Sequence, residues 1–580
     1  MLTNNWRAEA WDRLDQPWDI VIVGGGITGA GILREATRLG LKALLVEQQD
    51  FAWGTSSRSS KLVHGGLRYL KEGKVRLTLA SVQERERLIE EGPGLIDPLG
   101  FLLATYKGDF PGKWTYGAGL TVYDLLALQW GHRYYSAEDF QMLAPHIVKD
   151  GLVGGWRYGD AQTDDARLVL RVIFEALADG ATALNYCRAE EVIREDGEVV
   201  GVRLHDLVDD RRATVRAAVI INATGAWADG LREQIGAPSR IRPLRGSHLV
   251  FPAWRLPLAQ AVSFLHPLDR RPIFLFPWEG VTLVGTTDLD HDQPLNAEPQ
   301  ITPDEVAYLM AAVDAQFPSL ELTLDDVIST FAGVRPVIGS GKADPSKESR
   351  DHVVWDEQGL LTVTGGKLTT FRKIALDALH AIRHRLPATA DLSDDVPVLD
   401  PVNVPLPDAD ALDDAQRQRL LGRYGAAAPR LTEAAEPGEL TEIPGTETLW
   451  AELRWAARSE AVEHLDDLLL RRTRLGILLP DGGREFLPET HAICQRELGW
   501  DDARWEAEVA AYLDLWDCCY SLPPKATIPD WKAALAAAEA QRAERRPRRR
   551  KIITGSVLGA ALLGLGIAGL VIYFKGRDRT

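Results

Sequence analysis

The sequence predicts an α/β fold: an N-terminal βαβ unit, an inserted domain with an antiparallel sheet, an all-helical C-terminal domain and an apolar terminal helix. Three observations carry that reading. A short apolar strand at 19–23 (DIVIV) runs into a glycine turn at 24–31 and then a helix to about residue 39. Residues 181–221 and 244–288 alternate apolar and polar between turn signals such as EDGE, as a meander and further strands would. Residues 411–540 are dominated by Ala, Leu, Arg and Glu at helical spacing.

In chain order, a second strand at 43–46 ends at Glu47 and a long polar loop occupies 51–67. Residues 76–91 and 163–177 read as helices, with mixed structure at 100–145. The apolar run 219–225 ends in Ala-Thr-Gly, 302–315 reads as a helix, and 361–365 is a strand leading into glycines and a helix over 369–384. Residues 391–410, rich in Pro and Asp, read as a linker.

Length argues for more than one domain, since 580 residues exceed a single core. The net charge is −17, although the tail 541–580 holds ten Lys/Arg against two Asp/Glu. So acidic a body argues against nucleic acid as a partner. The four cysteines show no metal-ligand spacing, so no metal site is expected, and Cys518 and Cys519 read as small buried residues. Residues 552–574 form an uncharged apolar run long enough to span a bilayer. The basic residues before it, from Arg542 to Lys551, would meet membrane lipid and place the body on the cytoplasmic side of the inner membrane.

The first chemical motif is Gly24-x-Gly26-x-x-Gly29, set between strand and helix. Gly24 permits the turn, Gly26 lets a pyrophosphate approach the backbone, and Gly29 lets helix and strand pack closely. The helix N-terminus then faces the phosphates. Glu47, 18 residues beyond Gly29, is placed to accept hydrogen bonds from an adenosine ribose. Leu33 departs from the small residue usual at its position. Two later segments favour FAD over NAD. Asn222–Trp227 (NATGAW) is a strand ending in a small-residue turn at Gly225, and Thr364–Thr370 (TGGKLTT) is a strand, a turn at Gly365 and Gly366, and a helix start at Thr369. A helix there would stabilise the negative charge that builds on a reduced flavin.

With these motifs in hand, the chain resembles the FAD-dependent, membrane-associated, aerobic glycerol-3-phosphate dehydrogenases. The likeness rests on DIVIVGGGITGAGILREATRLGL, GTSSRSSKLVHGGLRYL, INATGAWAD, IFLFPW with VGTTD, FAGVRP and GGKLTTFR. The C-terminal ELRWAARSEAVEHLDDLLLRRTRLGI resembles that family's helical domain, and the likeness runs over about 17–525. The apolar tail is a departure, since such enzymes are usually held at the membrane peripherally.

The resemblance implies oxidation of sn-glycerol 3-phosphate to dihydroxyacetone phosphate, with electrons passing from FAD to quinone. It implies a Rossmann-like FAD domain in segments 17–75, 146–245 and 327–390, within an oxidoreductase unit over 17–390. A substrate domain over 76–145 and 246–326 and a helical domain over 396–540 complete the body. The alcohol must lose a hydride from carbon and a proton from oxygen, and the phosphate dianion needs cations. His64 and Arg335 are assigned to proton removal and oxyanion stabilisation, and Arg68 and Lys367 to the phosphate, with Tyr69 helping to position it. Thr55 and Ser56, at the head of the long loop, are expected on the cofactor. These roles are interchangeable within the group. An oxidase using oxygen and a non-catalytic, membrane-tethered flavin binder are the alternative readings, and a homodimer is left open.

Overall fold

In the computed structural model, residues 5–545 are described, apart from 72, 110–111, 340, 342–347, 349–350 and 388–394. The strand Trp18–Val23 lies inside a parallel sheet. Val21 pairs with Leu44 of Ala43–Val46 on one side and with Ile220 of Arg211–Asn222 on the other. Ile20, Val21 and Ile22 are fully buried, as a strand covered on both faces requires. Leu360–Gly365 and Thr182–Leu184 extend the sheet in parallel, and His352–Glu357 closes one edge antiparallel.

The helix Ile27–Arg38 packs against both Phe371–Ile382 and Asp165–Ala178. A Cβ at Gly31 would stand 2.9 Å from the Phe371 ring, so glycine sets the approach of the first two helices. Leu33 is fully buried in the same core, which explains the departure noted at that position.

The strand Arg211–Asn222 changes partners midway. Its first half pairs antiparallel with Glu198–Asp206, which in turn pairs with Cys187–Glu195; from Ala217 it runs parallel to the first strand. The meander and the cofactor sheet therefore share one strand.

A second sheet has ten strands. The expectation of an antiparallel insertion needs correction, because Ala261–Leu265 pairs in parallel with Ile96–Tyr106. These strands come from separate insertions, so no hairpin forces them antiparallel. The sheet also takes in Leu152–Thr163 and Ser329–Ile338, which lie outside the segments assigned to it. Leu152–Thr163 does so because it pairs along its length with Ile96–Tyr106. The helix Pro303–Gln316 covers this sheet, started by a capping box between Thr302 and Glu305.

Among the described residues beyond 400, helices predominate, from Asp414–Tyr424 to Trp531–Arg545, with one isolated bridge between Glu442 and Leu449. The linker is not a loose spacer where it is described. Val398 and Leu399 are fully buried, and Asp400 accepts from Arg34 and Arg38. Val398 and Leu399 serve the core, which composition alone hides.

The expected inner-membrane location, anchored by a C-terminal span, is also corrected. Among the described residues no helix is long and apolar enough to cross a membrane. The run 552–574 on which that expectation rested lies outside the described residues.

Candidate functional site

The first strand ends at Gly24, whose φ is +118°, where a Cβ would stand 2.5 Å from the Ala223 carbonyl oxygen. Gly29 sits behind this turn: a Cβ there would lie 1.9 Å from the Gly24 oxygen, so it serves helix–strand packing and does not line the cavity. Gly26 caps the helix Ile27–Arg38 and faces a cavity of about 590 Å³. Gly24 lines that cavity too, and Glu47 joins from the end of the second strand. Thr55 and Ser56 approach from the 3-10 turn Thr55–Ser57, and Gly225, Gly365 and Gly366 from the far strands. Ser56 Oγ accepts from Ile27 N at 3.0 Å, fixing this turn against the helix N-terminus.

Glu47 is already engaged by the backbone. One oxygen accepts from Gly25 N at 2.7 Å and the other from Gln49 N at 2.9 Å. Burial raises its carboxyl above the usual range, against the pull of these bonds. A carboxylate has further lone pairs, so it can still accept from a ribose.

The cavity suits a dinucleotide by more than its glycines. Trp227 lines it, and the buried Trp227 Nε1 has no hydrogen-bond partner among the described residues. A buried donor left unpaired beside a cavity calls for an acceptor from a ligand.

Two groups of polar side chains stand near this cavity. In the first, Lys367 lines the cavity wall, and its Nζ lies 3.7 Å from the centre of the Tyr69 ring and donates to Ser81 Oγ at 3.0 Å. Gly66 makes the space: with φ of +80°, its missing Cβ would stand 2.4 Å from Tyr69 and 3.1 Å from Lys367 Nζ. His64 is pushed down to about 4, by burial first and by the Lys367 charge second, so it is neutral near pH 7. Thr369 does not line the cavity; its hydroxyl accepts from His64 N at 3.2 Å and lies 3.3 Å from His64 O. Arg68 belongs to the helix Leu67–Lys71, but its side chain lies outside what is described.

Arg335 belongs to the second group. Its strand, Ser329–Ile338, pairs with Ile241–Pro252, and the guanidinium crosses the space over Gly246, where a Cβ would collide at 2.2 Å. It pairs with Asp288 at 3.2 Å and donates to Thr286 Oγ1 at 3.1 Å and the Thr287 carbonyl at 3.3 Å. It does not line the cavity.

Sequence reasoning passed over His248, which the same sheet face presents. Leu244, Gly246 and His248 pair with Arg335, Gly333 and Phe331, so all six share one face. The His248 ring stacks on Phe331 at 4.5 Å, and its Nε2 meets Ser60 Oγ at 2.9 Å. Burial first, then the Arg335 and Lys61 charges, hold it neutral, and its Nδ1 has no partner among the described residues. A signal existed in RGSHLV and FAGVRP: small residues alternating with His and Arg mark a face opened for something else to sit on.

Residues 19–372 match the family of FAD dependent oxidoreductases, and residues 375–505 match the C-terminal domain of alpha-glycerophosphate oxidase. An aerobic glycerol-3-phosphate dehydrogenase of Bacillus subtilis is 42% identical over 381 residues, 65% of this chain and 68% of that one. The enzyme of that name from Staphylococcus epidermidis is 36% identical over 485 residues, 79% of this chain and 87% of that one. Among solved structures, a glycerol-3-phosphate dehydrogenase of Bacillus halodurans complexed with FAD superposes with a TM-score of 0.69 at 29% identity. That match covers 89% of this chain and 98% of the other.

Proposed function

Because the chain belongs to the FAD-dependent aerobic glycerol-3-phosphate dehydrogenases, we propose that it oxidises sn-glycerol 3-phosphate to dihydroxyacetone phosphate and passes the electrons to a quinone. One observation carries the substrate reading. Lys367 lines the dinucleotide cavity and its charge bears on a neutral His64, so a cation beside the cofactor site has a proton acceptor behind it. Bound flavin supplies the acceptor for the hydride that leaves the substrate carbon.

The residues of this chain do the remainder. The hydroxyl proton goes to a neutral imidazole; His64 is our first choice, and His248 meets the same condition from the opposite group. Lys367 and Arg68 hold the phosphate dianion, with Tyr69 beneath the ammonium limiting where it can swing. Arg335, fixed by Asp288 and two threonines, would stabilise negative charge on the alcohol oxygen as its proton leaves. The phosphate gives remote binding energy that orients the reacting carbon.

The relatives' names, dehydrogenase and not oxidase, favour an acceptor other than oxygen. Anaerobic flavin bleaching with polyol phosphates, glycerol and 2-hydroxy acids tests the substrate. We expect sn-glycerol 3-phosphate to bleach the flavin and unphosphorylated glycerol to do so poorly. A 2-hydroxy acid that bleached faster would leave a flavoenzyme but remove this substrate. Mixing the reduced protein with a soluble quinone or with oxygen tests the acceptor; faster reoxidation by oxygen would make it an oxidase.

A further inference from the structure

The segment 57–61 lies between the dinucleotide cavity and the sheet face that carries His248. Ser59 lines the cavity, Ser60 Oγ meets His248 Nε2 at 2.9 Å, and Gly333 leaves room for Arg58, whose carbonyl oxygen would lie 2.6 Å from a Cβ there. What holds this segment comes from beneath. Asp165 accepts from Ser59 N at 2.9 Å and from Lys61 Nζ at 2.8 Å, and Lys61 Nζ also donates to the Ser57 carbonyl at 2.9 Å. Both Asp165 and Lys61 are fully buried.

The remaining partner belongs to the helical C-terminal domain. Arg474 is 1% exposed. Its guanidinium donates to Asp165, to Asp164 Oδ1 at 2.9 Å and to the Ser57 carbonyl at 3.3 Å. Its backbone takes the left-handed conformation, φ +65°, which turns the chain from the segment 467–473 into the helix Leu475–Leu478. One arginine thus touches both the segment that lines the cavity and the carboxylate that orders it.

We propose that the C-terminal domain completes the oxidation site from behind: Arg474, through Asp165, positions the segment 57–61 so that Ser60 meets His248. Arg474 and Asp165 are positioning residues; neither lines the dinucleotide cavity. The arginine fork matters because it reaches two adjacent carboxylates and a carbonyl from three separate nitrogens held in one plane, a spread that a single ammonium nitrogen lacks. This inference rests on the oxidation reading above.

A double-mutant cycle tests it, using the full flavin-loaded chain and anaerobic bleaching by sn-glycerol 3-phosphate. Arg474→Lys and Ser60→Ala are each expected to slow bleaching about tenfold, the scale of one lost buried hydrogen bond at the site. The double variant is expected to be no slower than the worse single one, because both changes break the same relay. If Arg474→Lys does not fold, Asp165→Asn takes its place in the cycle. Losses that multiply would overturn the proposal.

A second measurement needs no substrate. The potential of the bound flavin, read against a reference dye, is expected to move in Arg474→Lys, because Thr55, Ser56 and Ser59 on the cavity wall shift with the segment. It is expected to stay put in Arg458→Lys, an arginine of the same domain that pairs with Glu497 away from the site. An unmoved potential in Arg474→Lys would also overturn the proposal. If the wild type is not bleached by sn-glycerol 3-phosphate, the substrate reading fails, and the potential alone decides whether Arg474 sets the site.

Discussion

A side chain at position 26 would begin 3.0 Å from Ser56 Oγ, at the point where the helix Ile27–Arg38 starts and the cavity wall is nearest. Gly26→Val therefore puts two methyl groups where the backbone must meet a pyrophosphate. Gly26→Val is expected to bind FAD about tenfold more weakly, since overpacking costs ~1–3 kcal/mol and each ~1.4 kcal/mol is tenfold in affinity. Titration of the flavin-stripped variant with FAD checks it; wild-type affinity would place the phosphates elsewhere. This turn was legible because its glycines answer to near neighbours in one βαβ unit. His248 was not, because its partners, Ser60 and Phe331, come from a distant loop and a distant strand, and only sheet register brings them together. The place of Thr369 beside the glycine turn was legible, whereas the bonds of its hydroxyl to the His64 backbone were not, because only the fold brings those two segments together.

The helix Pro303–Gln316 shows how one element supports another's chemistry. Its Glu305, 1% exposed, closes the capping box by accepting from Thr302 N at 3.0 Å. The same carboxylate accepts from Ser247 Oγ at 2.9 Å, Thr287 Oγ1 at 2.6 Å and Arg245 Nε at 3.0 Å. Thr287 belongs to the short segment that holds Arg335. Removing this carboxylate leaves a buried arginine unpaired, so Glu305→Ala is expected to cost about 3–5 kcal/mol. It should also slow flavin reduction, because the Arg335 cradle loosens. Urea unfolding, followed beside flavin bleaching, reads both, and a variant with unchanged urea midpoint would show that the sheet holds itself. The helix was legible from 302–315, with its Thr and Glu at capping distance. Its use as an anchor for the opposite sheet face was not, because nothing local in the sequence says what a buried glutamate will meet.

Across the whole molecule, the C-terminal domain is joined to the cofactor domain by ion pairs sealed from water. Asp50 accepts from Arg472 at 2.6 Å and 2.8 Å and from Arg471 at 2.6 Å, and Arg167 forks onto Glu460 at 2.6 Å and 2.9 Å. Burial alone would raise the Asp50 carboxyl, but Arg472 and Arg471 outweigh it and bring it down to about 2. An unfolded aspartate titrates near ~3.9, so this pairing stabilises the fold fully above about pH 4 and is lost as pH falls toward 2. Asp50→Asn leaves two buried guanidinium groups underpaired and is expected to cost about 3–5 kcal/mol at pH 7. The gap to wild type should narrow at pH 3. Urea midpoints at the two pH values test this, and a gap that does not narrow would mean that the carboxylate is not the charged partner. The domain's helical character was legible from composition, but composition does not say which of its arginines are buried. Only the packing shows them turned inward against the loop that follows Glu47.

The order of strands in the cofactor sheet also governs how the chain is born. The first strand, complete at Val23, pairs with residues up to Asn222, and the sheet is not closed until Leu360–Gly365 has emerged. At about 5–20 residues per second on a ribosome, that gap lasts on the order of tens of seconds. In its first part the strand Trp18–Val23 has Ala43–Val46 on one side only, and after it the strand Arg211–Asn222 stays open on its far side until Leu360–Gly365 emerges. An apolar strand edge left open for more than half of the chain's synthesis is a surface on which nascent polypeptides can pair with one another.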